Sequence, residues 1–567
     1  MTTLEERPKL IVGADFGTTF SGVAWGLEDC PDDIELIQTW PGGGNITSQK
    51  VPTICSYDDE RMKWGYQTDQ SIHPGQHQRL IQGVKLLLDE SQKFRYLPAS
   101  DSQEIIKDLN KTPVEVAGDY LGKVVAHAQD VLTRRFGSAL QTMDLEYILT
   151  VPAVWSDKGK DYTRQAAQRA GIPAASLRLL SEPEAAAVYA IRTIQPNTIS
   201  KGNCLIVCDA GGGTVDIITY RVKQTDPLRF EEATKGTGAV CGSVMLDERF
   251  DALIKRIIEK QSNKPLPQST AKAARKYWQD YIKPGYTGPH DDDEMCELGY
   301  WIPVWGFWGS ETSSLVRGTY ILTGTDQVKE IFDPIIRQIE KLLAKQRQSV
   351  KEAGFSTKAI ILVGGLGASG YLYKRLQAAS DGIQIMQPPN AWSAVVRGAV
   401  IRGQEGNQVE SRVARCNYGV QMRDTFDPKK HRADEHLFWC PYEEKWMLDG
   451  RMSWYILKGK SVAESEPIRM SFYRLVGVGQ SLVFHDDLEF SHANTAPEVA
   501  DSSVTKLCEL EADLSRIPKE LFTKKTNSKG KQFYHVNYDL VLTPTSASLL
   551  FDLQFNGVSY GSARSRY

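Results

Sequence analysis

Two stretches of the chain share one pattern of apolar and polar positions. LIVGADFGTTFSGVAW (Leu10 to Trp25) and LIVCDAGGGTVDIITY (Leu205 to Tyr220) each run through an apolar strand, an aspartate, a glycine-rich turn and a second strand. Asp15 and Asp209 stand 194 residues apart, far beyond the ~20–50-residue period of a solenoid. The repeat therefore predicts two related lobes facing each other across a cleft. Helical spacing fills the interval. KGKDYTRQAAQRAGI ends on Gly171, and SEPEAAAVYAIRTI opens on Ser181 as N-cap with Pro183 early in the first turn. LDERFDALIKRIIEK places Leu246, Phe250, Leu253, Ile254 and Ile257 on one face. VKEIFDPIIRQIEKLLAKQ does the same with Ile331, Ile335, Ile339 and Leu342, with a kink expected at Pro334. AIILVGGLGASGYLYKRLQAA then reads as strand, glycine turn and helix. The alternation continues to about Arg402 and predicts an α/β body.

After the polar stretch GQEGNQVESR (Gly403 to Arg412) the period changes to two. Ile468, Met470 and Phe472 alternate, as do Tyr534, Val536, Tyr538, Leu540 and Leu542, and then Phe551, Leu553 and Phe555. Asn556-Gly557 supplies a hairpin turn before Val558 and Tyr560. A β-sandwich-like module is expected, with no long amphipathic helix following it.

Composition narrows the class. With 567 residues, 41% hydrophobic and 24% charged, and a formal net charge of -3, the chain is long enough for at least two bodies and carries no basic surplus for nucleic acid or anionic lipid. The nine cysteines are scattered without a CxxC pair, which suits a reducing compartment. The polar start MTTLEERPKL and the lack of a ~20-residue apolar run predict a cytoplasmic protein without a membrane span.

The candidate chemistry lies in the glycine turns. Consecutive glycines let backbone N–H groups converge on an anion, and phosphate is the natural guest. An aspartate at the start of such a turn would repel bare phosphate unless a divalent cation, magnesium with its waters, stood between them. Asp15, Asp209 and Asp216 then become magnesium ligands, directly or through water. The plainer reading makes both hairpins ordinary tight turns with aspartate caps, and the presence of two copies with a third glycine turn favours phosphate. That third turn, Gly365, Gly367 and Gly370, spells GxGxxG. The acidic residue of a dinucleotide site, expected ~20 residues on, is replaced by Gln387 and prolines in IQIMQPPN. KGKS (Lys458 to Ser461) lacks a P-loop's first glycine, since Trp454 stands there. The pair His73 and His77 in HPGQH, and the run HDDDE (His290 to Glu294), read as solvated loops rather than metal sites.

These motifs, in this order, resemble the actin, sugar-kinase and heat-shock protein 70 superfamily, and most closely heat-shock protein 70. GADFGTTFSGVAW resembles the first phosphate hairpin, VPAVWSDKGKDYTRQAAQRAGI with LLSEPEAAAVYA the stretch ending in the first connecting helix, CDAGGGTVD the second phosphate hairpin, and ILVGGLGASGYL the adenosine motif. The resemblance covers roughly residues 10–400. It implies a two-lobed actin-like ATPase (ribonuclease H-like) nucleotide-binding domain over residues 1–404, lobe I about 8–198 and lobe II about 199–404, with a lidless β-sandwich-like substrate-binding module over 413–567.

The resemblance also implies ATP/ADP and Mg2+ as cofactors. Asp15 and Asp209 would orient the metal's waters, and Gly17, Thr18, Thr19, Gly211, Gly212, Gly213 and Thr214 would hold phosphates. Gly364, Gly365 and Gly367 would approach the nucleoside, and Glu182 and Asp216 would place the attacking water. Lys85, in LIQGVKLLLD, resembles the family's phosphate-contacting lysine, and otherwise reads as one lysine on an amphipathic helix. Departures accompany the matches. Leu366 and Ala368 stand where the family has serine and arginine, and Lys283 is followed by Pro284 where an adenine-sandwiching pair is expected. The combination resembles the family's divergent twelfth branch and its fungal relatives.

The expected function is a monomeric, weakly hydrolysing chaperone-like ATPase, with protein clients or co-chaperones reached through the β-module. A nucleotide-regulated scaffold with little hydrolysis is the alternative. A sugar-type kinase fits less well, because Glu231 to Leu315 offers no sugar-reading cluster.

Overall fold

The computed structural model describes residues 7–566, apart from 59–60, 72–78, 91–96, 195–198, 290–297, 309–313, 430 and 432–436. His73, His77 and the run from His290 to Glu294 lie outside the described residues. The chain divides into two compact units, Met1–Gln408 and Val409–Tyr567.

In the first unit the repeated sequence plan becomes a repeated strand order. One sheet runs Glu35–Leu36, Phe20–Leu27, Lys9–Phe16, Asp144–Val151, Leu177–Ser181. A second set runs Leu228–Ala239, Val215–Thr225, Cys204–Ala210, Thr357–Val363, Gln384–Met386. In both, the first strand of the hairpin pairs antiparallel with its glycine-linked partner and parallel with the strand on its other side. Cys204–Ala210 is buried throughout, as expected of a strand covered on both faces, where the apolar run is continuous rather than alternating.

The helices are where their periodicity puts them. Asp157–Arg169 is capped by the Ser156 side chain, and Gly171 follows it at φ +94°. Glu182–Thr193 begins directly after strand Leu177–Ser181, with Pro183 in its first turn. It crosses helix Ala394–Glu405 so closely that a Cβ on Gly398 would come within 1.8 Å of the Ala185 carbonyl oxygen. Helix Val244–Ser262 buries Leu246, Phe250, Leu253 and Ile254, and the Phe250 ring stacks on Trp278 with centroids 4.7 Å apart. Helix Lys329–Glu352 continues through Pro334 and buries Leu343 where the sequence pattern pointed to Leu342. The apolar stripe shifts by one residue because 3.6 residues per turn drifts against a strict three-or-four spacing.

The second unit is β-rich. One sheet runs Leu437–Cys440, Lys445–Ile456, Asn417–Thr425, Val483–Ser491, Val504–Asp513, Arg564–Arg566. Another contains Ile468–Gly477, Gln532–Pro544, Leu549–Phe555 and Val558–Ser562, with Thr523–Thr526 also on Gln532–Pro544. Side chains of both, including Val420, Leu488 and Leu510 with Met470, Val536, Leu540 and Leu553, form one buried cluster. Asn556 and Gly557 both have positive φ and join Phe555 to its partner Val558, the backbone a two-residue hairpin needs. Lys458, in KGKS, donates to the His492 carbonyl and to Asn494 Oδ1. Among the described residues this unit contains no α-helix, and no described helix is long and apolar enough to cross a membrane.

Candidate active site at the paired glycine hairpins

The tips of the two glycine hairpins meet. A Cβ on Gly212 would lie 2.3 Å from Thr19 Oγ1, and one on Gly213 would lie 2.5 Å from Thr18 Oγ1. These glycines are therefore required by the neighbouring hairpin, as well as by any anion the turn would hold. The carbonyls of Gly211, Gly212 and Gly213 accept from the N–H groups of Ser243, Val244 and Gly242, so the start of helix Val244–Ser262 fixes the turn's orientation. Gly211 N–H closes the turn onto Thr214 O at 3.0 Å. Gly17 is equally constrained, since a Cβ there would strike the Phe20 carbonyl.

Beneath the tips lie four carboxyl groups, all at least nine-tenths buried: Asp15, Glu182, Asp209 and Asp216. Asp209 and Asp216 are directly opposed across the second hairpin. Asp216 Oδ1 accepts from the Val154 N–H at 3.1 Å. Burial, with Glu182, Asp216 and Asp15 nearby, holds the Asp209 carboxyl well above the usual carboxylate range, against the opposing charge of Lys50. Burial likewise pushes Glu182 up to about 7, against the pull of Lys85 and reinforced by Asp15 and Asp216.

Lys85 is almost fully buried and forms an ion pair with Glu182. Its Nζ lies 5.6 Å from the centre of the Trp155 ring. It sits in a short 3₁₀ turn, Val84–Leu88, preceded by Gly83 at φ +67°, and so not on the amphipathic helix its neighbours suggested. The apolar residues Leu86 and Leu88 are buried by tertiary contacts instead.

The third glycine turn abuts the second hairpin. Leu366 and Gly367 N–H groups both donate to the Ala210 carbonyl. Gly364 has φ +86°, and a Cβ there would lie 2.5 Å from Asp209 Oδ1. Gly365 faces Trp392, and Gln387 donates to the Gly367 carbonyl at 2.7 Å, pinning the turn from the next strand. Alongside Ala368, a cavity of about 510 Å³ is lined by Thr47, Gln49, Gln387, Asn390 and Trp392.

Sequence reasoning missed two partners of Asp15. Lys50 Nζ donates to Asp15 Oδ2 at 2.5 Å, and Thr150 Oγ1 donates to Oδ1 at 3.3 Å. Nothing local to TSQKVPT marks Lys50, because its meaning comes from a strand pairing. It also missed Asp247, buried at 3% exposure, which accepts from Trp278 Nε1 at 2.8 Å and from Lys283 Nζ at 3.0 Å. Lys283 is thereby tied to the protein itself. Among the described residues no three His, Cys, Asp or Glu side chains are arranged to ligate one metal ion directly, so an ion among these carboxyls would be held through its waters.

The duplicated hairpins over a buried carboxylate cluster make the first unit a mixed α/β body similar to the nucleotide-binding domains of actin-like ATPases. Residues 90–270 match the family described as Hsp70 protein, and residues 412–563 match a domain of unknown function. The chain is 24% identical to human Heat shock 70 kDa protein 12B, over 82% of this chain and 78% of that protein. It is 23% identical to human Heat shock 70 kDa protein 12A, over 89% and 85% respectively. A Chaperone protein HscA homolog of Acinetobacter baumannii is 29% identical over 45% of this chain and 38% of its own length. Over residues 90–270 the chain is similar to the heat-shock protein 70 family, and over most of its length to that family's divergent 12A and 12B members.

Proposed function

We propose that the protein binds ATP with magnesium in a two-lobed, ribonuclease H-like domain and hydrolyses it slowly, as a chaperone or chaperone-related protein. Lobe I would cover about 8–198 and lobe II about 199–404. The β-rich unit, read as a sandwich-like module over 413–567, would meet protein clients or co-chaperones. A cytoplasmic monomer is the working picture. The observation that carries the reading is the convergence of both glycine tips on four buried carboxyl groups and two lysines.

That donor set fits a hydrated divalent cation. Buried carboxyls held above their ordinary range are carboxyls short of positive charge, and Asp15 and Asp209 are the residues that would hold the ion through its waters. Bound there, the ion would neutralise phosphate charge during in-line attack. The protein's own groups supply the rest. Gly17, Thr18, Thr19 and the turn from Gly211 to Thr214 would position phosphates, and Gly364, Gly365 and Gly367 would let the nucleoside approach closely. Lys85, held by Glu182, would bring a cation to the γ-phosphate. Glu182 and Asp216, the latter fixed by the Val154 N–H, would orient the attacking water and accept its proton.

ATP binding and single-turnover hydrolysis with magnesium test the proposal. Asp209→Asn and Lys85→Ala should each slow hydrolysis at least tenfold, the scale of losing one charged catalytic group. Hydrolysis unchanged in both would sink the ATPase reading. ATP binding with no hydrolysis above the variants would favour the nucleotide-regulated scaffold, a reading supported by Ala368 in the adenosine turn and by Lys283 engaged with Asp247.

A further inference from the structure

We propose that Lys50 is a resident cation of the phosphate site, so that this chain binds nucleotide phosphates even when divalent ions are removed. The inference rests on the nucleotide reading above and adds a residue to it.

Lys50 is buried at 6% exposure, with its Nζ 2.5 Å from Asp15 Oδ2. A buried ammonium is costly to desolvate, and a chain keeps one only where a fixed partner compensates. Asp15 is that partner, and the lysine is held against it by the surrounding strands. Asp15 and Gly22 are cross-strand partners in the first hairpin. A Cβ on Gly22 would lie only 3.2 Å from Lys50 Cγ, so the lysine stem crosses the hairpin through the gap glycine leaves and reaches the carboxylate opposite. The Lys50 carbonyl accepts from Ser48 Oγ at 2.7 Å and from the Tyr66 hydroxyl at 3.3 Å. The next two residues, Val51 and Pro52, pair with Ser21 and Phe20.

An ammonium carries three donors, and among the described residues the hydrogen bond of Lys50 Nζ goes to one oxygen of Asp15. The group thus has donors left for phosphate oxygens. Its partner Asp15 opens the first glycine turn, and the tip of that turn meets the second at Gly212 and Gly213, so the ammonium stands beside the place where two glycine turns would hold one anion. Lys85 is committed to a different carboxylate, Glu182. With a fixed cation beside Asp15, a divalent ion shares the neutralisation rather than supplying it alone. Binding then survives chelation, while hydrolysis still requires magnesium.

The test is equilibrium binding of a fluorescent ATP analogue, and its displacement by inorganic tripolyphosphate, in magnesium and in excess chelator. It uses the full chain, Lys50→Met and Lys50→Arg. Wild-type affinity should fall less than about tenfold on chelation. Lys50→Met should lose about ten- to a hundredfold in chelator, the value of a charge-assisted hydrogen bond, and clearly less in magnesium, with Lys50→Arg close to wild type. Wild-type binding that is sound in magnesium and abolished by chelation would overturn the role of Lys50 and leave the nucleotide site standing. So would equal chelator sensitivity in Lys50→Met and wild type. Failure of the wild type to bind in either buffer would overturn both. Should Lys50→Met fold poorly, the wild-type chelation ratio and Lys50→Arg still decide.

Discussion

Gly213 lies against Thr18: a Cβ on the glycine would stand 2.5 Å from the threonine Oγ1 and 3.0 Å from its Cγ2. Two hairpins far apart in sequence are thereby in contact at their tips, and the glycine is demanded by a side chain as much as by backbone conformation. Threonine is short and β-branched, so it has little room to move aside.

Gly213→Ala should therefore push the hairpins apart. Overpacking of this kind costs about 1–3 kcal/mol, and ATP affinity should fall at least about tenfold if both tips hold one phosphate chain. Thr18→Ala in the same chain should recover most of the stability loss, because it removes both the Oγ1 and the Cγ2 that the new methyl group meets. Urea denaturation of the two single variants and the double variant measures the coupling. Additive losses would show that the contact is not what requires glycine.

The carboxyl cluster predicts a pH dependence. Burial raises Glu182 to about 7 from an ordinary 4.5, so the folded state holds a proton that the unfolded chain releases earlier. Stability must then fall as pH rises from about 4.5 through about 7. Glu182→Gln removes this dependence. The stability difference between variant and wild type should move in the variant's favour by about 3 kcal/mol across that window. Chemical denaturation at several pH values, without nucleotide or divalent ions, gives the curve, and a flat difference would contradict the assignment.

Asp247 anchors one side of the second half of the first unit. It accepts from Trp278 Nε1 and Lys283 Nζ, and Arg275 Nη1 lies 3.4 Å from its Oδ2. Asp247→Ala strands an indole donor and the Lys283 ammonium, while Arg275 keeps its pair with Asp251, and should cost about 3 kcal/mol. Asp247→Asn keeps an acceptor for the fully buried Trp278 and should cost clearly less. Equal losses in thermal and urea unfolding would mean that packing, not the hydrogen bonds, is what the residue contributes.

In the β-rich unit, Leu540 has no solvent exposure and lies at the centre of the buried cluster. Leu540→Ala should destabilise that unit by about 2–5 kcal/mol. Hydrogen exchange along strand Gln532–Pro544 should accelerate accordingly. Protection unchanged there would argue against a single shared core for the two sheets.

Much of this architecture is written in local pattern. The aspartate, the glycine turn and the flanking apolar strands recur at Asp15 and Asp209 because a strand covered on both faces needs a continuous apolar run and a tight turn needs glycine. The Ile331, Ile335, Ile339 stripe and the Asn556-Gly557 turn are readable for the same reason, since each depends on residues within a few positions of one another. Lys85, Lys50 and Asp247 are different. Lys85 stands in a sequence that looks helical and folds as a 3₁₀ turn facing Glu182, 97 residues away. Lys50 reaches Asp15 through a gap at Gly22 that exists only after two strands pair. Backbone periodicity is a short-range property and survives in one dimension. The meeting of charges in a dry interior is set by the packing of distant segments, and burial energetics assign a buried lysine its partner only once the strands around it are in place.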